Sequence, residues 1–498
     1  MDAFEQLKQD CREGRISVER LLALLEALQR QLQAAHQRIA ELEAKAGSSP
    51  TVKVAEPFSV RAEEKRQQAR QPKKKKAQRG RRGRLGSADK LKLAQRTDSC
   101  FPENVPPQDC RLSHTRPVWR LENGRAVLIA YEIYRGPKNQ YGKIPGVLGR
   151  SEFGLEVVVQ VAYLVYVLGL SFDKACLTLQ FLQQLKLGKT QADTLLKSLA
   201  RHWQNEFEVL CTLLANSLVV HTDETRWSIN SVWAFLSEKA RVVLFGVHKD
   251  AQTLEQMLDP KTFKGLVISD DAAVYGNFSQ SQKCWAHLLR KAIKLTLLEP
   301  DNPEYRQFAD RLLAIYRKAC RLQRDGRFSP TGRANHVLHL DDAIYDLCLP
   351  LWELALPPRE AGPANDYRLL VSEVMRLMLD EQLFRFVTAE PAAQPNGTSK
   401  PVSGTNNEAE RTLRGAAEAR KTGRTNKTVV GARRQTIVVS VLESLRLYLP
   451  AFTLTSVVAE IERWWQAGQS CFTKLLKQME LPQRSQTILD KALPIPDG

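Results

Sequence analysis

Three acidic clusters, set far apart along a basic chain, are the residues best suited to chemistry. They are His221-Thr222-Asp223-Glu224-Thr225, Ile268-Ser269-Asp270-Asp271 and Asn406-Asn407-Glu408-Ala409-Glu410-Arg411. The chain around them carries a formal net charge of +18. Carboxylates gathered within a positive protein suit a metal site acting on a polyanion, and nucleic acid is the commonest polyanion. Mg2+ takes hard oxygen ligands, usually one or two carboxylates per ion, and keeps positions for water and phosphate. Two such ions about 3.5–4 Å apart activate an attacking hydroxyl and steady the leaving oxygen, and three acids are a sensible minimum to hold them. Asp223 and Asp270 would form the shared pair, with Glu410 completing the second site from a helix. The competing reading makes each acid a turn or cap residue beside a strand end. With 55 acids in the chain, spacing alone leaves both open.

Neighbouring residues bear on that choice. His221 precedes Asp223 by two and so shares its side of a strand, as a substrate contact or a core-packed histidine. His287 falls in Cys284-Trp285-Ala286-His287-Leu288-Leu289-Arg290-Lys291, where His287, Arg290 and Lys291 either meet a scissile phosphate or form a basic helix edge. Arg411, Arg414, Arg420, Lys421 and Arg424 surround the last acid, which suits a site holding phosphates as well as metal. Trp227 either stacks on a displaced base or belongs to the core.

The elements that must position these groups can be read from periodicity. From residue 218 the pattern is that of a sheet. Leu218-Val219-Val220 leads into Asp223, residues 231–236 and 241–247 read as two further strands, 251–258 as a helix, and 265–268 as the strand delivering Asp270. Three strands, a helix and a fourth strand, with acids on the first and fourth, is the order of a ribonuclease-H-like α/β fold. Such analogy is only a prior for function. Residues 300–400 read as a largely helical insertion, interrupted at Pro357-Pro358 and ending in a loop over 396–401. Glu410 then lies near a helix start, and helices over 439–447 and 457–465 close the fold.

Upstream, residues 150–217 are expected to be helical (153–168, 171–185 and 190–214), with Thr190 as a cap after the turn at Leu187-Gly188. They form either a helix-turn-helix reader of DNA or plain packing. Residues 98–149 read as a small β-rich module with a hairpin at Asn123-Gly124. Cys100, Cys110 and His114 lie there without paired spacing, a weak zinc signal. Residues 48–97 form a basic linker. Between Lys65 and Arg84 there are eleven Lys or Arg and no acid, including Lys73, Lys74, Lys75, Lys76, Arg81 and Arg82. Such a run binds phosphates without reading sequence, or serves as a solubilising linker. In residues 1–47, Val18, Leu21, Leu25, Leu28, Leu32, Ala35, Ile39 and Leu42 form an a/d seam, either a coiled coil pairing two subunits or an amphipathic helix folding back. Residues 401–498 complete the core begun over 218–299.

Hydrophobic content of 43% and charged content of 26% are ordinary for a globular protein. No apolar run reaches the roughly 18 residues of a membrane span, and the N-terminus lacks a secretory pattern, so a cytoplasmic or nucleoid-associated protein is expected. The nine cysteines include no Cys-x-x-Cys pair, which argues against a zinc ribbon or a thioredoxin-like motif.

Taken in order, the motifs resemble those of the insertion-sequence-66 family of DDE transposases. His221-Thr222-Asp223-Glu224-Thr225 is similar to the first acidic motif, and Ser269-Asp270 with Tyr275 five residues beyond the acid to the second. Cys284-Trp285-Ala286-His287 with Arg290 resembles a Cys-Trp-x-His-x-x-Arg stretch, and Asn407-Glu408-Ala409-Glu410-Arg411-Thr412-Leu413-Arg414 the third acidic motif, with Arg420-Lys421 downstream. The coiled coil and basic stretch also fit the family layout. The resemblance implies a ribonuclease-H-like core with a helical insertion and Mg2+-dependent cleavage and strand transfer at transposon ends, Mn2+ being an allowed substitute. The implied trio is Asp223, Asp270 and Glu410, with His287, Arg290, Lys291, Arg411 and Arg414 on DNA. The implied partners are transposon-end and target DNA, a second copy of the chain, and accessory proteins of the same element.

The sequence departs from the family in three places. Only Cys100 and Cys110 remain of a paired-cysteine module, so no structural zinc is expected. The tail beyond Arg424 diverges. Asp271 replaces a residue that is more often glycine; neighbouring strand residues point to opposite faces, so only one of Asp270 and Asp271 is expected to reach a metal. The rival readings are a catalytically inactive, dimeric DNA-binding or assembly protein with a nuclease-like fold, and a ribonuclease-type enzyme acting on RNA.

Overall fold

A computed structural model describes residues 86–353, 362–482 and 488–493, and Gln33 alone within the N-terminal stretch. The expected coiled coil over 1–47 and the basic run containing Lys73–Lys76, Arg81 and Arg82 lie outside the described residues. The chain divides into Met1–Gln67 and Gln68–Gly498, and the features below belong to the second unit.

Alternating Val, Ile, Leu and Tyr with polar residues drive the first sheet. Strands β2 (Arg111–Glu122) and β3 (Arg125–Arg135) pair antiparallel, and β1 (Arg96–Cys100) adds parallel to β3. The hairpin turns at Asn123 (φ 50°) and Gly124 (φ 77°), the two positive φ values a tight primed turn demands. Cys100 is buried on β1, while the Cys110 thiol donates to the Pro106 carbonyl at 3.4 Å and His114 meets the Ser113 hydroxyl at 3.1 Å. These three form no joint metal-ligand group among the described residues.

Three helices follow: α1 (Leu155–Ala162), continued by one π-helical turn over Tyr163–Val167, α2 (Phe172–Gln183) and α3 (Lys189–Ala215). The cap of α3 is Gly188 rather than Thr190, because the Gln191 side chain reaches back to accept from the Gly188 N–H at 3.0 Å. The helix therefore starts before Thr190, which falls in its first turn. Likewise Phe153 is held in an extended bridge to Trp119, so α1 begins two residues later than periodicity suggests.

The central sheet has the order β6-β5-β4-β7-β8, with β4 (Val219–Arg226), β5 (Ser231–Ser237), β6 (Arg241–Val247), β7 (Leu266–Ser269) and β8 (Ser281–Lys283). The first three run antiparallel as a meander, and β7 and β8 run parallel to β4 after the crossover helix α4 (Ala251–Met257). Both faces are covered, which is why β5 and β6 are near-continuous apolar runs.

Next comes a helical insertion: α5 (Trp285–Leu298), α6 (Pro303–Arg324), α7 (Pro330–Glu353) and α8 (Pro363–Leu379). It carries its own core, in which Phe308, Leu340, Val374 and Phe386 pack with Ile268 of β7. Trp285 fastens it to the sheet, donating to the Leu383 carbonyl at 2.6 Å and stacking on Tyr316 at 5.1 Å. The chain then forms α9 (Asn407–Lys421), α10 (Val429–Tyr448), α11 (Leu454–Ala467) and α12 (Cys471–Gln478).

Helix α10 closes the open edge of the sheet. Thr436, Ser440 and Ser444, spaced four apart on one helix face, accept hydrogen bonds from the N–H groups of Phe245, Val243 and Arg241 at 2.9, 3.0 and 2.9 Å. Alternate residues of β6 are thereby satisfied by hydroxyls, which removes an exposed strand edge.

Candidate active site

Two parallel strands bring the first two acids together. The β4–β7 register pairs Val219 with Leu266, Val220 with Val267 and His221 with Ile268. Continued by two residues, it sets Asp223, within β4, beside Asp270, just past the carboxyl end of β7, on strands about 4.8 Å apart; ligands of open α/β sheets bind at such strand ends. Glu410 comes from the first turn of α9, which lies against β4 and β5.

Asn406 fixes that helix. It is fully buried, its side-chain amide donates to the Thr222 carbonyl at 2.8 Å, and its own N–H donates to the Cys284 sulfur at 3.1 Å. One residue thus ties the Glu410 helix both to the strand carrying Asp223 and to the start of α5. The sequence reading quoted Asn406 only as a flank of the motif. An asparagine just before a helix start, a position where Asn is favoured, was the available signal.

Burial pushes the Asp223 carboxyl up to about 7, reinforced by the charges of Glu224, Asp270 and Glu410 and opposed by the Glu224 N–H. Four carboxylates therefore share one electrostatic neighbourhood, with Lys249 on Glu224 and Arg290 on Glu410. Glu410 is held by Arg290 at 2.7 Å, with the His287 imidazole at 3.7 Å. Burial lowers the His287 pKa, and the Arg290 charge lowers it further, against Glu410 and Asp270.

Further residues complete the site. Glu224 is enclosed, accepting from the Tyr275 hydroxyl at 2.6 Å and pairing with Lys249. The buried Lys283 ammonium donates to the Asp270 carbonyl at 3.2 Å, fixing the backbone of the acid rather than its carboxylate. Asp271 is turned away into an ion pair with Arg376. Glu224 appears in the sequence only as a member of the first acidic cluster, and Lys249 and Lys283 carry no motif signal, because their roles depend on strand pairing rather than on spacing.

The expected phosphate contacts differ among themselves. Arg411 and Arg414 are exposed on α9, whereas Lys291 is tied to Glu373 at 2.7 Å. His221 is packed, with burial lowering its pKa against the charge of Glu408. Trp227 is buried edge-on to Phe245 at 5.4 Å, which is the core alternative. It also lines a cleft of about 950 Å³ beside α9, together with Arg411, Arg424 and Arg434.

Carboxylate oxygens are the donor type that Mg2+ prefers, and the Asp223 carboxyl, raised first by burial and then by neighbouring carboxylates, is one whose charged form an added cation would stabilise. Asp223, Asp270 and Glu410 therefore fit that ion by donor type, although among the described residues their carboxylates do not gather within 4.8 Å as one three-ligand group. Among the described residues no helix is long and apolar enough to cross a membrane. The family model described as Transposase IS66 family matches residues 150–434, a span holding all three acids. No curated protein matches the chain.

Proposed function

The chain belongs to the IS66 family of transposases, and from that premise we propose that it is a DDE enzyme with a ribonuclease-H-like core, cleaving insertion-sequence ends and transferring the freed 3′ strands to target DNA. What supports this reading is that the strand register sets Asp223 beside Asp270 and that the charges of Asp270 and Glu410 both act on the Asp223 carboxyl.

Asp223, Asp270 and Glu410 would hold two Mg2+ ions, with Mn2+ able to substitute. When bound, the cations supply activation of the attacking oxygen and neutralise charge gathering on the phosphate. The protein's own groups do the rest. Asp223 must be free of its proton to serve, and no side-chain base is needed. Arg290 exchanges Glu410 for a backbone phosphate, joined by His287, Arg411 and Arg414. Lys291 takes part only on leaving Glu373. The buried Tyr275–Glu224 contact and the Asn406 bridge hold the strand and helix still while DNA is engaged.

Outside the described residues, the 1–47 seam would join two copies so that two ends are held at once. Lys73, Lys74, Lys75, Lys76, Arg81 and Arg82 would add salt-sensitive, sequence-independent DNA affinity. Accessory proteins of the same element would complete the assembly.

Nicking of labelled element-end DNA, measured with and without Mg2+, tests this. We expect metal-dependent cleavage at the end. Salt-sensitive binding with no cleavage under any divalent metal would instead support an inactive DNA-binding or assembly protein.

A further inference from the structure

Cys284 and His287 stand at the start of α5 in Cys-x-x-His spacing, and Glu410 reaches them from α9. One donor atom from each lies within 4.8 Å of the others. The grouping is built rather than incidental. Cys284 is buried as the cap of α5, and its sulfur receives the N–H of Asn406, the residue that pins the Glu410 helix. The His287 Nδ1 is buried without a partner, while its Nε2 lies 3.3 Å from Arg290.

A tetrahedral ion with bonds of about 2.0–2.3 Å spaces its ligands roughly 3.4–3.8 Å apart, so closing this set takes on the order of an ångström. Thiolate and imidazole are poor ligands for Mg2+ and good ones for Zn2+. We propose that Cys284, His287 and Glu410 form a site for a borderline-soft divalent cation of the Zn2+ class, which competes with the oxygen-only set by capturing Glu410. Arg290, now on Glu410, is the cation such an ion displaces. His287 and Glu410 are partly exposed, which would leave the fourth position to water. The binding half stands on geometry alone; the competition half rests on the catalytic role proposed for Glu410.

Titrating Co2+ into the metal-free full-length protein tests the binding half. A near-ultraviolet sulfur-to-cobalt band is expected, abolished in Cys284→Ser and needing at least about tenfold more metal in Glu410→Gln and His287→Ala, since losing even an outer-shell partner costs about that much. Circular dichroism checks the fold, and if Cys284→Ser fails to fold, the other two variants decide. A band unchanged in all folded variants overturns the site. Zn2+ added to Mg2+-supported cleavage tests the competition half, with inhibition relieved by raising Mg2+. Zinc-insensitive cleavage alongside an intact Co2+ band overturns competition. Absence of any Mg2+-supported cleavage would sink the catalytic reading and leave the cobalt titration to decide the site.

Discussion

Arg290 donates to both carboxylate oxygens of Glu410, at 2.7 and 3.4 Å, across 120 residues of sequence. The guanidinium is exposed, so the pair is cheap to break, about 0.2–1 kcal/mol by analogy with other exposed pairs. Removing it should therefore ease metal entry while costing a phosphate contact. Arg290→Gln is expected to lower the Mg2+ concentration giving half-maximal thermal stabilisation by about 1.5- to 5-fold and to slow end cleavage. An unchanged metal titration would show that Arg290 does not stand in for the cation.

The Asp223 carboxyl sets a pH dependence. Its pKa rises from 3.8 to about 7 on folding. Between those values the folded chain binds more protons than the unfolded one, so metal-free stability falls as pH rises through this window and levels above it. A bound cation offsets both the burial cost, which is the larger cause of the fall, and the repulsion from neighbouring carboxylates. Mg2+ should consequently raise Tm more at pH 8 than at pH 5.5, as measured by differential scanning fluorimetry. An equal shift at both values would place Asp223 away from the metal.

Asn406→Ala removes the bridge from α9 to β4. Leaving the buried Thr222 carbonyl without its amide should cost about 1–3 kcal/mol, read from urea unfolding. Cleavage should fall further than this loss explains when assayed where the variant is still folded, because Glu410 is no longer fixed. Activity tracking only the folded fraction would reduce Asn406 to a structural role.

Ser440→Ala breaks the middle rung between α10 and β6 and strands the Val243 N–H, again at about 1–3 kcal/mol. Here cleavage per folded molecule should remain normal, since the rung lies on the far edge of the sheet from Asp270. A variant as stable as the parent would show that water replaces the hydroxyl.

Much of this arrangement could be read from the chain because it is local. The apolar runs ending in Asp223 and Asp270 fall on β4 and β7, the Asn123-Gly124 turn forms a hairpin, and Glu410 lies in the first turn of a helix. What stayed hidden joins distant segments: Asn406 to Thr222, Tyr275 to Glu224, and the α10 hydroxyls to β6. No periodicity records a contact across 184 residues, as between Asn406 and Thr222. Cys284-x-x-His287 is visible as a motif, yet Glu410, grouped with it, is 123 residues beyond His287 and joins it only once α9 is placed. Thr190 is the more obvious cap by residue type, whereas Gly188 has no capping side chain and is identified only by the Gln191 amide reaching back to its N–H.

The most direct test compares end cleavage by Asp223→Asn, Asp270→Asn and Glu410→Gln with the parent under saturating Mg2+, alongside binding of the same DNA. The account predicts that each variant loses cleavage by roughly two to three orders of magnitude or more, the scale of removing a group that stabilises transition-state charge, while end binding stays nearly intact. Normal cleavage by any one of them would contradict it.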